Sequence, residues 1–325
     1  MEAGRPNKLP NPSLKEVKEI LTKNIYGVDL HSTAVKLTKF SLQLALCQLV
    51  PNHELWTWNE DRVFKNLENE NIFQEDFFDF LTEEKYHHFH ENFDLIIGNP
   101  PFFPLTENKE KPEYSTITKK LKKISFEFSV KIPDNQLALM FLEASSVLLK
   151  PKAELCLIQK STALLFNKGV KEFRDNLFNK FYVHQIIDFT LLKNHLYKSK
   201  SKTRVDDLGK PVYENGKLKK TASTAVESCA IFYKKEKVED YNTLHIISRL
   251  LKNTIEGLSF EFDYYDFYEL SKNQILEDDT IWRSNLLGGN RLNHLIKKLN
   301  VTNRFQTNLK DYVLNHLGID EKGLQ

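Results

Sequence analysis

With 325 residues the chain can bury a large core, as one α/β domain or as two smaller ones, and 41% hydrophobic with 28% charged residues is an ordinary globular composition. Its 46 basic residues are offset by 44 acidic ones, and a net charge of +2 excludes a global attraction to nucleic acid, so any such contact has to come from a local patch. The start, MEAGRPNKLPNPS, has no apolar core of the kind a signal peptide needs, and no uncharged run approaches membrane-spanning length, which leads us to expect a cytoplasmic protein without a membrane partner.

Taken in chain order, SLKEVKEILTK reads as a short helix over 14–23, and NIYGVDL as a compact strand. Ser32 or Thr33 then offers an N-cap for a helix over 33–50, whose Val35, Leu37, Leu42, Leu44 and Ala45 recur near helical spacing. NIFQEDFFDFL is a third apolar run ending in acids and aromatics. DLIIG follows as a strand, and the polar, Lys-rich residues 106–131 read as an active-site loop or an insertion. Residues 134–150, DNQLALMFLEASSVLLK, suit an amphipathic helix stopped by Pro151. AELCLIQ (strand), KGVKEFRDNLFNKF (helix), VHQIIDFT (strand), a long basic polar segment and ESCAIFYKK (strand) come next. This alternation predicts βαβ units and a parallel or mixed sheet in the α/β class. From 236 the rhythm is lost, and the remainder reads as helical and connective. Cys47, Cys156 and Cys229 sit in apolar surroundings without metal-ligand spacing, as reduced core thiols do.

In open α/β sheets ligands bind beyond the carboxyl ends of the strands. Three strand ends carry suitable groups here: Asp29, Asp76 and Asn99. The last opens Asn99-Pro100-Pro101-Phe102, a rigid polar turn tipped by an aromatic ring.

In these residues the chain resembles the γ-type amino-methyltransferases that methylate adenine N6 in DNA, and in particular the methyltransferase regions of type IIG restriction-modification enzymes. NIYGVDLHSTAVKLTKFSLQLAL is similar to their second motif and its helix, EDFFDF to their third, DLIIGNPPF to their catalytic fourth, and DNQLALMFLEASSVLLKPKAELCLIQKS to their fifth and sixth. IWRSNLLGGN resembles the connector that leads to a target recognition domain. The resemblance implies a Rossmann-like sheet that binds S-adenosyl-L-methionine, double-stranded DNA as partner, a catalytic domain over 14–235 and a helical connector over 236–325. It assigns Asp29 to the cofactor ribose, Asp76 to the amine of the cofactor adenine, and Phe77 and Phe141 to the surroundings of that ring. Asp29 also reads as a helix-capping residue, Asp76 as one more acid of a solvated loop, and Phe141 as plain core.

The chemistry of the fourth motif follows from its residues. The lone pair of an exocyclic amine is delocalised into the adenine ring, so the nitrogen is a poor nucleophile. The Asn99 side-chain oxygen and the Pro100 carbonyl can each accept one N–H of that amine, favouring a more tetrahedral nitrogen. Pro100 and Pro101 fix φ and bring no N–H to compete for the acceptors. Phe102 offers a face on which an extruded base can stack, while Phe103 either joins it or packs. Lys193, Lys198, Lys200, Lys202 and Arg204, and the lysines of TKKLKK at 118–123, read equally as phosphate contacts or as solvated loops.

The chain departs from this family's pattern at both ends. The Gly-rich turn and the first strand that carries it are not found before IYGVDL, so two strand edges are expected to lack a partner. HLGIDEKGLQ resembles the opening of a recognition domain. The expectation is a piece of a longer or split enzyme that pairs with its own N-terminal and recognition segments, and that alone is inactive and binds S-adenosyl-L-methionine weakly or not at all. Lys152 and Ala153 stand where a Gly-rich turn is usual. Two other readings stay open: the same motif on a protein glutamine or RNA guanine substrate, and a non-catalytic fragment or subunit.

Overall fold

The computed structural model describes residues 12–50, 67, 70–196, 226–254 and 257–289, together with residue 292 and short pieces between 202 and 221. It falls into two compact units, Met1–Phe89 with Ser115–Glu127, and His90–Tyr114 with Phe128–Gln325.

The first unit begins with α1 (Leu14–Lys23), started by a capping box in which the Ser13 hydroxyl accepts the Glu16 N–H and the Glu16 carboxylate accepts the Ser13 N–H. Strands β1 (Gly27–Asp29) and β2 (Ile72–Gln74) pair in parallel, with Asp29 opposite Gln74. Between them in the chain lies α2 (Ser32–Leu49), whose N-cap is His31 and not Ser32 or Thr33. Val35, Leu46 and Ile72 share a core with Val17 and Leu21 of α1, and Leu42 packs against it. The expected apolar face is therefore only half right. Leu37 and Leu44 are exposed, as is Phe40, because two residues along a helix turn the side chain through about 200°. A second cluster joins Phe73 to Phe80 and Phe89, with ring centroids 5.4 and 5.6 Å away, where Phe80 belongs to α3 (Phe77–Thr82). Inside the stretch 106–131, read as a loop, a helix α4 (Glu113–Lys122) forms, and its Lys120 bonds Asp79 of α3 at 2.5 Å.

The second unit is built on a six-stranded mixed sheet. Its members are β3 (Phe93–Gly98), β4 (Leu149–Lys160), β5 (Tyr182–Asp188), β6 (Ser228–Lys234), β7 (Asn242–Ile247) and a last strand after the hairpin β8 (Leu250–Thr254) and β9 (Gly257–Glu261), namely β10 (Phe267–Ser271). The order is β10-β7-β5-β6-β4-β3. Strand β3 runs parallel to β4, β6 runs antiparallel to both β4 and β5, and β7 runs parallel to β5. The carboxyl ends of β3, β4, β5 and β7 therefore share one edge. Residues 242–271, read from the sequence as helical and connective, instead add strands to the sheet. The α/β class and the mixed sheet stand as expected.

Helix α5 (Leu137–Ala144) is buried on nearly every side. The helix expected over 134–150 ends earlier, where the Ser145 and Ser146 hydroxyls donate to the Phe141 and Glu143 carbonyls. Pro151 thus lies inside β4 and does not terminate a helix. It is tolerated because the β3–β4 register shifts there, between the pairs Phe93–Leu149 and Leu95–Glu154. Next to it Lys152 has φ 67°, so a lysine holds the left-handed conformation that glycine adopts most easily. Helix α6 (Lys171–Lys180) packs Phe173, Leu177 and Phe178 into the core. Its buried Arg174 donates to the Leu164 and Leu165 carbonyls and pairs with Asp279. Two more helices, α7 (Lys272–Glu277) and α8 (Ile281–Leu287), follow the sheet.

Strand β3 forms one edge of its sheet and β1 pairs only with β2, so among the described residues both free edges expected from the sequence are present. On β3, Leu95 and Ile97 are 57% and 74% exposed.

Candidate functional site

In the first unit, the parallel register places the ends of β1 and β2 side by side, and the Glu75 N–H donates to the Asp29 carbonyl at 3.1 Å. Asp29 and Asp76 therefore leave the same end of the strand pair. The Oδ1 of Asp29 accepts the His31 N–H at 2.7 Å, which turns the chain into α2. Asp76 is the N-cap of α3, and its Oδ1 accepts the N–H groups of Phe78 and Asp79 at 2.9 and 3.1 Å. In both side chains the second carboxylate oxygen has no partner among the described residues. Each acid is fixed by one oxygen and presents the other. Phe77, half-buried, sits at the first position of α3 with its ring edge-on to Phe78, 5.3 Å between centroids.

In the second unit, β3 delivers Gly98 and then Asn99 at its carboxyl end. A Cβ at Gly98 would lie 3.0 Å from the Leu157 Cδ2 of β4, tighter than ordinary contact, so a side chain there requires Leu157 to give way. The Asn99 side chain is exposed and makes no hydrogen bond among the described residues. Pro100 is buried and Pro101 exposed; Phe102 is half-buried, and the Phe103 ring is half exposed. Phe103 engages the protein through its backbone, since its carbonyl accepts the Leu137 N–H at 3.1 Å. Phe141 is the half-buried member of α5.

The basic segments are largely spoken for where they are described. Lys193 bonds Glu227 at 2.6 Å, Lys120 bonds Asp79, and Lys122 bonds Glu127 at 3.1 Å. Lys198, Lys200 and Arg204 lie outside the described residues, as does the side chain of Lys202. The described residues contain no group of His, Cys, Asp and Glu able to hold a metal ion.

Two features escaped the sequence reading. At the carboxyl end of β5, Asp188 is fully buried, and its Oδ1 accepts the Thr190 N–H and hydroxyl at 2.8 and 2.5 Å and the Ser161 hydroxyl at 3.3 Å. Its Oδ2 lies 3.9 Å from the Nε2 of buried His245, whose Nδ1 faces the amide of Asn285 in α8. The signal was an aspartate closing an apolar strand, as at Asp29. The second is the pair Asp134 and Asn135, both at φ 49°, beside the loop that follows Phe102. No single-residue pattern announces that conformation, although Asp and Asn are the side chains that tolerate it best.

The chain was compared with known proteins. It is 14% identical to the methyltransferase subunit of a type I restriction-modification system from Streptococcus thermophilus, with TM-score 0.48, covering 79% of this chain and 46% of that one. It is 14% identical to the type IIG restriction endonuclease BpuSI, with TM-score 0.47, covering 91% of this chain and 28% of that one. Against the type I restriction enzyme EcoKI M protein the identity is 13% and the TM-score 0.38, covering 69% and 35%. The chain thus spans less than half the length of each of these structures. No curated protein matches it. The Eco57I restriction-modification methylase family matches residues 23–194, more than half of the chain, a span that holds Asp29, Asp76, Phe77, Asn99-Pro100-Pro101-Phe102 and Phe141. On that match the chain belongs to the Eco57I restriction-modification methylase family.

Proposed function

We propose that the chain carries the catalytic residues of a γ-type DNA adenine-N6 methyltransferase of a restriction-modification system, of the type IIG kind, acting on an adenine extruded from double-stranded DNA. One observation supports this above the others: Asn99, exposed and unengaged, stands at the carboxyl end of β3 and is followed by two prolines and a half-buried phenylalanine. In this reading the Asn99 Oδ1 and the Pro100 carbonyl accept the two N–H groups of the adenine amine, which draws its lone pair out of the ring and aims it. Pro101 keeps the turn rigid and brings no competing donor. Phe102 stacks on the extruded base and replaces part of the stacking that extrusion costs. No covalent enzyme intermediate is required.

S-adenosyl-L-methionine, when bound, supplies an electrophilic methyl group. The residues present fit it. Among the described residues the second oxygen of Asp29 is unpartnered and suits a ribose hydroxyl, and that of Asp76 suits an exocyclic amine; Phe77 suits the cofactor ring, a role we propose also for Phe141. We further propose a catalytic region over 14–235 and a connecting region over 236–325. The test is methyl transfer from tritiated S-adenosyl-L-methionine to DNA lacking adenine methylation, measured on the complete gene product that contains this chain. The expected product is N6-methyladenine, and Asn99→Ala lowers its rate by about a hundredfold, as does removing one hydrogen-bonding group aimed at a transition state. Label found in RNA or in glutamine side chains, or an Asn99→Ala rate equal to wild type, sinks the proposal.

A further inference from the structure

The loop that leaves the Asn99 to Phe102 turn is not free. Phe103 accepts the Leu137 N–H at 3.1 Å, the Leu105 N–H donates to the Asn135 carbonyl at 2.9 Å, and Pro104 and Gln136 form an antiparallel bridge. A longer contact of 3.5 Å runs from the Asn135 amide nitrogen to the Leu105 carbonyl. Opposite this loop, the chain reaches Leu137 through Asp134 and Asn135, two successive non-glycine residues with φ 49°. Left-handed conformations of L-residues are costly, and they persist where the surroundings over-determine them. Here the surroundings do so. Ile132 is fully buried, Leu137 is buried, and the Asp134 carboxylate accepts the Asn167 amide at 3.4 Å from the segment that follows β4.

We propose that the Asp134–Asn135 turn is a clamp, and Asn135 a positioning residue, that fixes the far limb of the catalytic loop and through it the attitude of Pro100 and Phe102. The inference rests on the function proposed above. Its physical content is conformational. The left-handed pair points the Asn135 carbonyl and the Leu137 N–H at one strand of loop, so that residues 103–105 are held from both ends. Glycine at 135 can hold that geometry, alanine holds it poorly, and a β-branched residue resists it.

The experiment compares Asn135→Gly, Asn135→Ala and Asn135→Val in the full chain, with two readouts. Hydrogen exchange at Leu105 and Leu137 reports the clamp without any need for activity. Expected are near wild-type protection in Asn135→Gly, and exchange at least tenfold faster in Asn135→Ala and Asn135→Val, with β4 and β5 amides unchanged. Methyl transfer reports the consequence. The expected kcat falls at least tenfold in Asn135→Ala while the KM for S-adenosyl-L-methionine stays within twofold, and Asn135→Gly retains at least a third of the rate. If Asn135→Val does not fold, the alanine and glycine variants decide. Unchanged exchange in Asn135→Ala, or faster exchange with an unchanged kcat, overturns the clamp. A complete wild-type gene product that transfers no methyl to DNA while the exchange pattern holds overturns the proposed function and leaves the clamp as a structural device of the loop.

Discussion

Gly98→Ala is the smallest perturbation that reaches the Asn99 to Phe102 turn through the sheet. The added Cβ would stand 3.0 Å from the Leu157 Cδ2, on the residue directly opposite in the β3–β4 register, and Leu157 is buried. Alanine in a strand recovers roughly 0.5–1 kcal/mol of backbone entropy relative to glycine. Crowding a methyl group against the buried Leu157 costs at most the about 1–3 kcal/mol of overpacking, so the net expectation is a loss of up to about 1 kcal/mol. Leu157→Val withdraws the clashing Cδ and, as the loss of one buried methylene, costs on its own about 1 kcal/mol. The two changes should not add. In Gly98→Ala/Leu157→Val the clash is gone, and the double variant should be no less stable than Leu157→Val alone, a coupling of up to about 1 kcal/mol. Urea unfolding followed by far-UV circular dichroism measures all four proteins, and methyl transfer by each shows whether moving Leu157 disturbs Asn99. Strict additivity, or a Gly98→Ala protein more stable than wild type, refutes the packing argument.

Two further predictions concern the acids and the core. Asn at position 29 keeps the oxygen that accepts the His31 N–H, and Ser at position 76 keeps a cap for α3, so Asp29→Asn and Asp76→Ser should leave the thermal midpoint within about 2 °C. Both lose the outward carboxylate oxygen, and calorimetry with S-adenosyl-L-methionine should show affinity at least tenfold weaker; equal affinity removes these residues from the cofactor assignment. Burial pushes the Cys229 thiol and the Tyr233 hydroxyl well above their usual values, so the folded state holds both protons in alkaline solution while the unfolded state begins to lose them near pH 9 and 10. Their contribution to stability is complete below pH 9 and is lost as pH rises, by up to about 1.4 kcal/mol per pH unit for each group. Urea midpoints should fall from pH 9 to 11, and Cys229→Ala or Tyr233→Phe should flatten the decline.

What could be read from the sequence follows from where each signal resides. Strand β3 and the turn after it were legible because three apolar residues ending in Gly-Asn-Pro-Pro admit few backbones. The ends of β1 and β2 were legible through their aspartates, although each strand is only three residues long. The outward Leu37, Phe40 and Leu44 of α2 were not, since periodicity reports an apolar face and α2 carries apolar residues on two. Strands β7 and β10 were missed because NTLHII and FYELS lack clean alternation. Their burial depends on neighbours brought from far along the chain, such as Val183 of β5, whose carbonyl accepts the hydroxyl of Thr243 in β7. Pro151 misled for a similar reason. A proline is a helix terminator by local rules, yet here a register shift gives it a place where no N–H is needed.

The sequence left Asp29 as either a cap or a ligand and Asp76 as either a ligand or a solvated loop acid, and in the structure both cap a turn. A side chain that is to bind must be held in one attitude and must also keep an unspent group. A carboxylate meets both conditions because its two oxygens can be used separately. Asp29 and Asp76 each give Oδ1 to backbone N–H groups of their own turn and keep Oδ2 unpartnered among the described residues. Asp188 shows the contrast: the same residue at a strand end, but wholly buried, with its second oxygen facing His245 at 3.9 Å, in a place suited to holding the sheet and not to meeting a ligand. Asn99 reaches the same end by another route. Its amide is wholly unspent, so its attitude has to come from the backbone on either side. The β3–β4 pairing of Gly98 with Leu157 holds it from behind; the prolines, and the loop pinned at Phe103 and Leu105, hold it from ahead. Exposed Asn99 therefore takes its attitude from its neighbours in the chain and not from a bond of its own side chain.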